Sequence, residues 1–365
     1  MVSRVAGRMS IPYDKSAQEE YCTNEVVHDL SVSAGHTIVL PASVEPESHP
    51  SLVQKAKTSK DMKSFNAHVP SRIHIPSRII SFCGGGHLGI THIGILKALR
   101  ERSLLKYVKG VVGISAGALI ALMYVLGYTI EDMETLCQKI DLSIFTSIES
   151  EYAMLFYQTL CVNSGAMLDT YLTSLLENQG LSASTTFLEL KKKRPNTFFR
   201  CYATRLQNSN IQEFSAERTP NHSLLFATRA SMCLPIVFAP MKDPFTETLY
   251  YDAGLIHNMP FVFLTEEEKR NGLCIYFDIF NGTPTEGDML TIFKYALKSI
   301  LNQRNTHCFK QYSQNILKVP VNFMKFLDSN TKEIKDMLID TGYMHMIAFL
   351  DAPVKKQCVR RYSVC

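Results

Sequence analysis

The chain is predicted to be an α/β layered protein, on three observations. Short β-branched runs alternate with helical periodicities from about residue 77 to 280. The first two of these runs each end in a glycine-rich turn that opens a helix. Beyond about residue 289 the pattern becomes helical and amphipathic, a C-terminal extension to the layered part. At 365 residues with 46% hydrophobic and 20% charged side chains, the chain has the length and composition to bury a sizeable core. Its net charge of +4 is too small to argue for nucleic acid, while it permits docking on an anionic membrane surface.

Residues 1–72 are polar, with Ser, Pro and Lys clusters and only Thr37–Leu40 suggesting a strand, and are expected to form a flexible arm. Arg4 and Arg8 are not followed by an apolar stretch, so no secretory signal is expected. The ten cysteines show no Cys-x-x-Cys pair or zinc spacing. Several stand in apolar runs, which predicts reduced, buried thiols and a cytoplasmic protein. One uncharged run, Gly110 to Ile130, approaches membrane length. It reads instead as a strand, a turn and a short helix, which cannot span about 30 Å of hydrocarbon.

Taken in order, Arg78–Cys83 is a buried-strand run, and Gly84–Gly89 opens a helix with Ile90, Ile93, Leu96 and Leu99 on one face. Val108–Ile114 is the next strand, parallel to the first if the helix between them makes a right-handed crossover. Helices follow over Ala116–Leu126, stopped by Gly127, and over Glu131–Ile140. A further helix is expected over Met167–Leu176, strands over Phe198–Thr204 and Ile211–Phe214, and a helix over His222–Ser231 stopped by Pro235. Leu249–Tyr251 leads into Asp252-Ala253-Gly254, and Cys274–Phe280 is read as the final buried strand. Domain boundaries are accordingly expected at 73–285 for the layered domain and 286–365 for a helical region packed on it.

Gly113-Ile114-Ser115-Ala116-Gly117, between a strand and a helix, has the form of a nucleophile elbow. The turn is tight enough to demand small flanking residues, and it pushes the serine into an exposed, strained position. The helix behind it aims its N-terminal N–H groups and dipole at developing negative charge.

Gly84, Gly85 and Gly86 admit three readings: a tight turn, a dinucleotide fingerprint completed by Gly89, or an anion nest serving as an oxyanion hole. The fingerprint calls for an acidic residue at the end of the next strand, and none stands there. A tight turn needs one or two glycines, whereas three in succession with access to φ > 0 can turn their N–H groups inward. An activated serine also needs a base. The histidines at 87, 92, 222, 257, 307 and 345 read as packing or surface residues. Asp252, following an apolar run and beside small residues, is the better candidate, its alternative being a strand-end cap.

These stretches carry a resemblance. Gly84-Gly85-Gly86-His87-Leu88-Gly89, Gly113-Ile114-Ser115-Ala116-Gly117, the segment Ala230–Pro240 with its Ala-Ser-x-x-x-Pro-x-x-Phe-x-Pro spacing, and Asp252–Pro260 resemble, in this order, the signatures of patatin-like phospholipases. The resemblance covers roughly residues 77–280. It implies a three-layer α/β/α fold and hydrolysis of acyl esters in phospholipids or neutral lipids by a Ser-Asp dyad without histidine. Ser115 would be the nucleophile, Asp252 the base, and the N–H groups of Gly85 and Gly86, in the loop opened by Gly84, the oxyanion donors. Gly113 and Gly117 would shape the elbow, and Ala253 and Gly254 the turn after the base.

In this chain Leu88 stands where the family's glycine loop usually carries Arg or Lys. Asp-Ala-Gly replaces Asp-Gly-Gly or Asp-Gly-Ala. A carboxylate at its ordinary pKa is a poor base, so the dyad requires Asp252 to be desolvated. No cofactor or metal is expected, and the partner is a lipid substrate at a membrane or lipid-droplet surface; the apolar segments 152–160 and 321–326 read first as ordinary core helix and strand and second as contacts to that lipid. The competing readings are a catalytically silent lipid-binding or scaffold protein on the same fold, and a dinucleotide-binding oxidoreductase.

Overall fold

The structure, a computed structural model, describes residues 78–141, 161–279, 309–321 and 331–352. The expected arm at 1–72, the apolar segment 152–160, residues 322–326 of the other apolar segment and the helical pattern over 289–301 lie outside the described residues.

Strand β1 (Ile79–Phe82) passes through a 3-10 turn (Gly86–Ile90) into helix α1 (Thr91–Glu101). Strand β2 (Gly110–Gly113) leads into α2 (Ala116–Leu126) and α3 (Ile130–Lys139). Next come β3 (Cys161–Asn163), α4 (Ala166–Glu177), α5 (Phe187–Lys193), β4 (Phe198–Arg205), β5 (Ile211–Ser215) and α6 (Leu224–Ser231). Strands β6 (Ile236–Phe238), β7 (Met241–Lys242) and β8 (Leu249–Asp252) precede α7 (Glu266–Arg270), β9 (Gly272–Ile279), β10 (Ile316–Val321) and α8 (Lys332–Asp351).

The main sheet runs β10-β9-β1-β2-β4-β8-β7, with β5 also paired to β4; β3 and β6 form a separate two-stranded sheet. β1 and β2 are parallel, as the crossover reading requires, and β9, β10 and β4 share their direction. Both faces of the central strands are buried, which is why these strands read as continuous apolar runs. Ile80, Phe82, Val111, Ile275 and Phe277 face one core under α1, α2, α3, α6 and α8. Ile79, Val112, Ile114, Cys274 and Tyr276 face a second core closed by Met259–Leu264, which leads into α7. The fold is a three-layer α/β/α arrangement around a mixed sheet.

Several expected elements fall within a residue or two of their observed bounds, because they carry local punctuation. α2 stops at Gly127, which adopts φ 93°, and α3 begins at the capping box of Thr129 and Asp132. The reading of Cys274–Phe280 as the last strand is corrected: β10 pairs with β9 in parallel from Ile316 opposite Cys274 to Val321 opposite Ile279. Its exposed positions carry Lys318 and Pro320, residues suited to a sheet edge, and they break the apolar run that would have marked it. The uncharged stretch Gly110–Ile130 folds as β2, a turn and α2. Among the described residues no helix is long and apolar enough to cross a membrane. Six described cysteines, at 83, 137, 161, 201, 233 and 274, are buried free thiols.

Helix α1 departs from the one-faced amphipathic pattern and is buried on nearly every side, because α8 covers its second face. The approach is set by glycines. A Cβ at Gly94 would overlap the Ile339 carbonyl oxygen, and one at Gly342 the Thr91 carbonyl oxygen. Lys335 of α8, 2% exposed, donates from Nζ to the carbonyls of Gln138 (3.2 Å) and Ile140 (2.6 Å) and so closes the C-terminus of α3. Gly94→Ala is expected to destabilise the fold by about 1–3 kcal/mol. Alanine's better helix propensity, worth roughly 1 kcal/mol, is outweighed by a clash with backbone that side-chain rotation cannot relieve. A urea melt checks this, and an unchanged or raised midpoint would contradict it.

Candidate active site

Strand β4 aligns the two central residues. Gly113 at the end of β2 lies opposite Cys201, and Asp252 at the end of β8 lies opposite Ala203, two residues further along. Cys201 and Ala203 each also pair with β5, as partners of Phe214 and Gln212, so β2 and β8 share the other edge of β4. When the chain leaves the sheet after Gly113, β8 enters antiparallel into the vacated place. Ser115 and Asp252, 137 residues apart in sequence, thus meet at the junction.

Ser115 takes φ 54°, ψ −129°, a conformation that costs a residue with a Cβ on the order of 1–3 kcal/mol. Its neighbours explain how this is held. A Cβ at Gly113 would overlap the Gly117 carbonyl, and one at Gly117 the Phe82 carbonyl, so only glycine lets α2 sit this close to the ends of β1 and β2. The N–H of Ser115 donates to Ser231 Oγ at 3.0 Å, and Ser231 is fully buried at the end of α6. Ser115 occupies the N-cap of α2, yet its hydroxyl makes no cap hydrogen bond. It acts on the Asp252 carboxylate instead, favouring its ionised form.

Asp252 is 3% exposed. Burial pushes its carboxyl up to about 6, against the opposing pull of the Ser115 hydroxyl and of the hydrogen bond from the Gly254 N–H at 2.7 Å. The desolvation that the dyad reading demanded is therefore present. The Asp252 N–H donates to the Cys233 carbonyl at 2.8 Å. One short segment, Ser231–Cys233, thus grips the backbone of both Ser115 and Asp252. It is anchored by Arg229, 1% exposed, whose Nε lies 3.0 Å from Asp169 Oδ1, whose Nη2 donates to the Ser164 carbonyl, and whose guanidinium stacks over Phe238 at 4.4 Å. Ala253 is fully buried and its backbone lies outside the left-handed region, so the turn after Asp252 takes an alanine as readily as a glycine.

The glycine loop corrects one expectation. Of Gly84, Gly85 and Gly86, only Gly86 adopts the left-handed region, at φ 56°; Gly85, at φ 168°, is extended. The other two glycines are required for room. A Cβ at Gly84 would stand 2.5 Å from Asn258 Oδ1 and 3.0 Å from the Ser115 Cβ, and one at Gly85 would stand 2.8 Å from the Phe277 ring. Gly89 packs likewise, its missing Cβ leaving space for that of Ala116. The N–H groups of Gly84, Gly85 and Gly86 enter none of the backbone hydrogen bonds of the described residues. Asn258 Nδ2 donates to the Gly84 carbonyl at 3.0 Å.

Leu88 is fully buried in the helix-side core. Three histidines are engaged elsewhere. His92 packs in the core between Phe82 and Phe277, its ring 3.0 Å from the Cys83 carbonyl, and burial lowers it to about 4. His222 meets Asp243 at 3.1 Å, and His345 meets the Thr341 carbonyl at 2.8 Å. An open cleft of about 420 Å³ between β10, α8 and Phe309–Ser313 contains none of the residues around Ser115. Sequence reasoning did not single out Ser231, Asn258 or Arg229. The first two stand inside motifs already recognised, which was the available signal.

The chain is similar to several known proteins over this region. A model described as patatin-like phospholipase matches residues 80–264, 185 of the 365 residues, from β1 to the segment after Asp252. An uncharacterised protein, YqhO, of Bacillus subtilis (strain 168) is 26% identical over 292 residues, 74% of this chain and 96% of that protein. The probable lipid hydrolase 463L of Invertebrate iridescent virus 6 is 23% identical over 189 residues, 52% of this chain and 63% of the viral protein. The crystal structure of VipD from Legionella pneumophila is similar with a TM-score of 0.48 and 18% identity, over 76% of this chain and 67% of VipD. The match to the family model spans the glycine loop, the serine elbow and the aspartate turn, and the chain belongs to the patatin-like phospholipase family.

Proposed function

We propose that the protein is a serine acyl hydrolase acting on fatty-acyl esters of phospholipids or neutral lipids, with Ser115 as nucleophile and Asp252 as general base. The observation that carries this reading is the placement of the hydroxyl of Ser115, held in a strained elbow, beside the buried carboxylate of Asp252, on whose titration it acts.

Asp252 takes the hydroxyl proton as Ser115 Oγ bonds to the ester carbonyl carbon, and the carbonyl oxygen becomes an oxyanion. The N–H groups of Gly85 and Gly86 receive it, in the loop that Gly84 holds against Ser115. As the ester C–O bond breaks, Asp252 returns the proton to the departing alkoxide, leaving an acyl-serine. Water then attacks the acyl carbon while giving a proton to Asp252. Collapse of this second intermediate frees the fatty acid and restores the serine hydroxyl with that proton.

General-base catalysis of this kind contributes about 10²–10⁴ in rate, and each oxyanion donor about 10²–10³. A base near 6 is still ionised at neutral pH and accepts a proton more readily than an ordinary carboxylate. With Leu88 buried in the core, the loop position that usually carries a cation offers none to a headgroup phosphate. The acyl ester is then the unit recognised.

The test is a fluorophosphonate probe applied to the purified protein, with the labelled peptide located by mass spectrometry and fatty-acid release measured from phosphatidylcholine and triacylglycerol emulsions. Label on Ser115 with release of fatty acid is expected. A folded protein that takes no label and releases none would be the silent lipid-binding form of the fold.

A further inference from the structure

Gly84 and Gly85 share one peptide unit, and that unit has an unusual freedom. A peptide plane turns over when ψ of the first residue and φ of the second change together, and between two glycines neither residue has a Cβ to oppose the turn. Gly85 already lies at φ 168°, ψ 14°. In a trans peptide, the C=O of one residue and the N–H of the next point in opposite directions within one plane. The chain has no cis peptide bonds among the described residues. Whatever holds the Gly84 carbonyl therefore also aims the Gly85 N–H.

That holder is Asn258, whose Nδ2 donates to the Gly84 carbonyl at 3.0 Å from 174 residues away. A carbonyl oxygen can only accept, so the amide nitrogen of Asn258 must be the atom facing it. Asn258 follows Asp252 by six residues, and its amide oxygen lies 3.2 Å from where a Gly254 Cβ would stand. It is thus built into the same turn as the Asp252 carboxylate, with Gly254 N–H donating to Asp252 Oδ1.

We propose that Asn258 is a positioning residue that locks the Gly84–Gly85 peptide, so that the Gly85 N–H faces the oxyanion forming at Ser115. With the peptide turned over, a carbonyl oxygen would occupy the place of the N–H donor and repel the developing charge. Asn258 touches no reacting atom in this scheme, and its effect passes entirely through that peptide. The inference rests on the Ser115–Asp252 reading above and assigns the orientation of its oxyanion donor.

The experiment compares wild-type full-length protein with Asn258→Leu and Asn258→Asp, side chains of similar size that, at neutral pH, cannot donate to Gly84. Three quantities are read: kcat and KM on a p-nitrophenyl acyl ester, Ki for an alkyl trifluoromethyl ketone that adds to the serine as an oxyanion, and Ki for the corresponding alcohol, which cannot add. Loss of one oxyanion donor predicts a fall in kcat of about 10²–10³ and a matching loss of ketone affinity. KM and alcohol affinity should stay within about threefold, a split that general loosening of the site would not produce.

If one variant fails to fold, the other carries the test. If neither folds, Asn258→Ala, which removes bulk and carries no donor, is read in the same way. A folded variant whose kcat and ketone Ki stay within threefold of wild type overturns the inference, as does parallel weakening of ketone and alcohol. Activity in the wild type that survives Ser115→Ala would instead defeat the underlying dyad, so the two failures are told apart.

Discussion

Ser115→Ala is expected to reduce ester hydrolysis by about 10⁴-fold or more, to the level that binding and oxyanion stabilisation alone sustain. Alanine tolerates the elbow as well as serine does. It has the same Cβ at φ 54°, and the N–H that donates to Ser231 is kept. The loss would therefore be chemical. If, as proposed, Ser115 and Asp252 act on one proton, the double variant Ser115→Ala/Asp252→Asn should be no slower than Ser115→Ala alone. Initial rates with equal concentrations of folded protein measure both comparisons. Retention of more than a tenth of the wild-type rate in Ser115→Ala would remove this serine from the mechanism. Removing the hydroxyl also removes one of the two groups that hold the buried Asp252 carboxyl down, so it should titrate above about 6 in the variant.

Asp252→Asn is expected to lower kcat by about 10²–10⁴ and, at neutral pH, to make the protein more stable. The sign follows from the raised carboxyl. In the folded protein Asp252 titrates near 6, against 3.8 for an unperturbed carboxyl, so between these values the folded state holds the proton that the unfolded state releases. Stability then falls as pH rises through this window, by on the order of 3 kcal/mol in full above pH about 6, and the effect is absent below pH about 3.8.

Asparagine carries no charge to desolvate and keeps an oxygen for the Gly254 N–H. Its advantage over wild type should therefore be largest at pH 7.5 and shrink towards pH 4. Urea melts of both proteins at pH 7.5 and 4.5 test this, and a pH-independent difference would contradict it. The same group predicts that wild-type kcat/KM falls about tenfold per pH unit below about 6 and levels off above it. The elbow strain at Ser115 and the buried charge at Asp252 are both costs in stability, and both fall at the proposed dyad.

Much of the fold was legible because its signals are local. Gly127 ends α2, Thr129 and Asp132 cap α3, and two-sided burial writes β1, β2 and β9 as unbroken apolar runs. β10 escaped notice because Lys318 and Pro320 interrupt its apolar pattern, and only its register against β9 makes it a strand. The β3–β6 pair, of three residues each, is too short to produce a periodicity at all. The glycine triplet was legible as a special loop, but three glycines in a row do not tell which of them needs left-handed backbone and which needs space. Gly86 needs the first; Gly84 and Gly85 need the second, against Ser115, Asn258 and Phe277.

By itself the sequence determined the elbow, the aspartate and the order of the motifs, since the demand for small residues at fixed spacing is a local steric constraint. Only the tertiary structure decided that Ser115 and Asp252 meet along one edge of β4, and that the Asp252 carboxyl is buried. It also decided that Ser231 and Asn258, from 116 and 174 residues away, hold the elbow and the glycine loop. Those facts depend on strand register and on desolvation by neighbours distant in the chain, and neither leaves a mark in the spacing of residues along it.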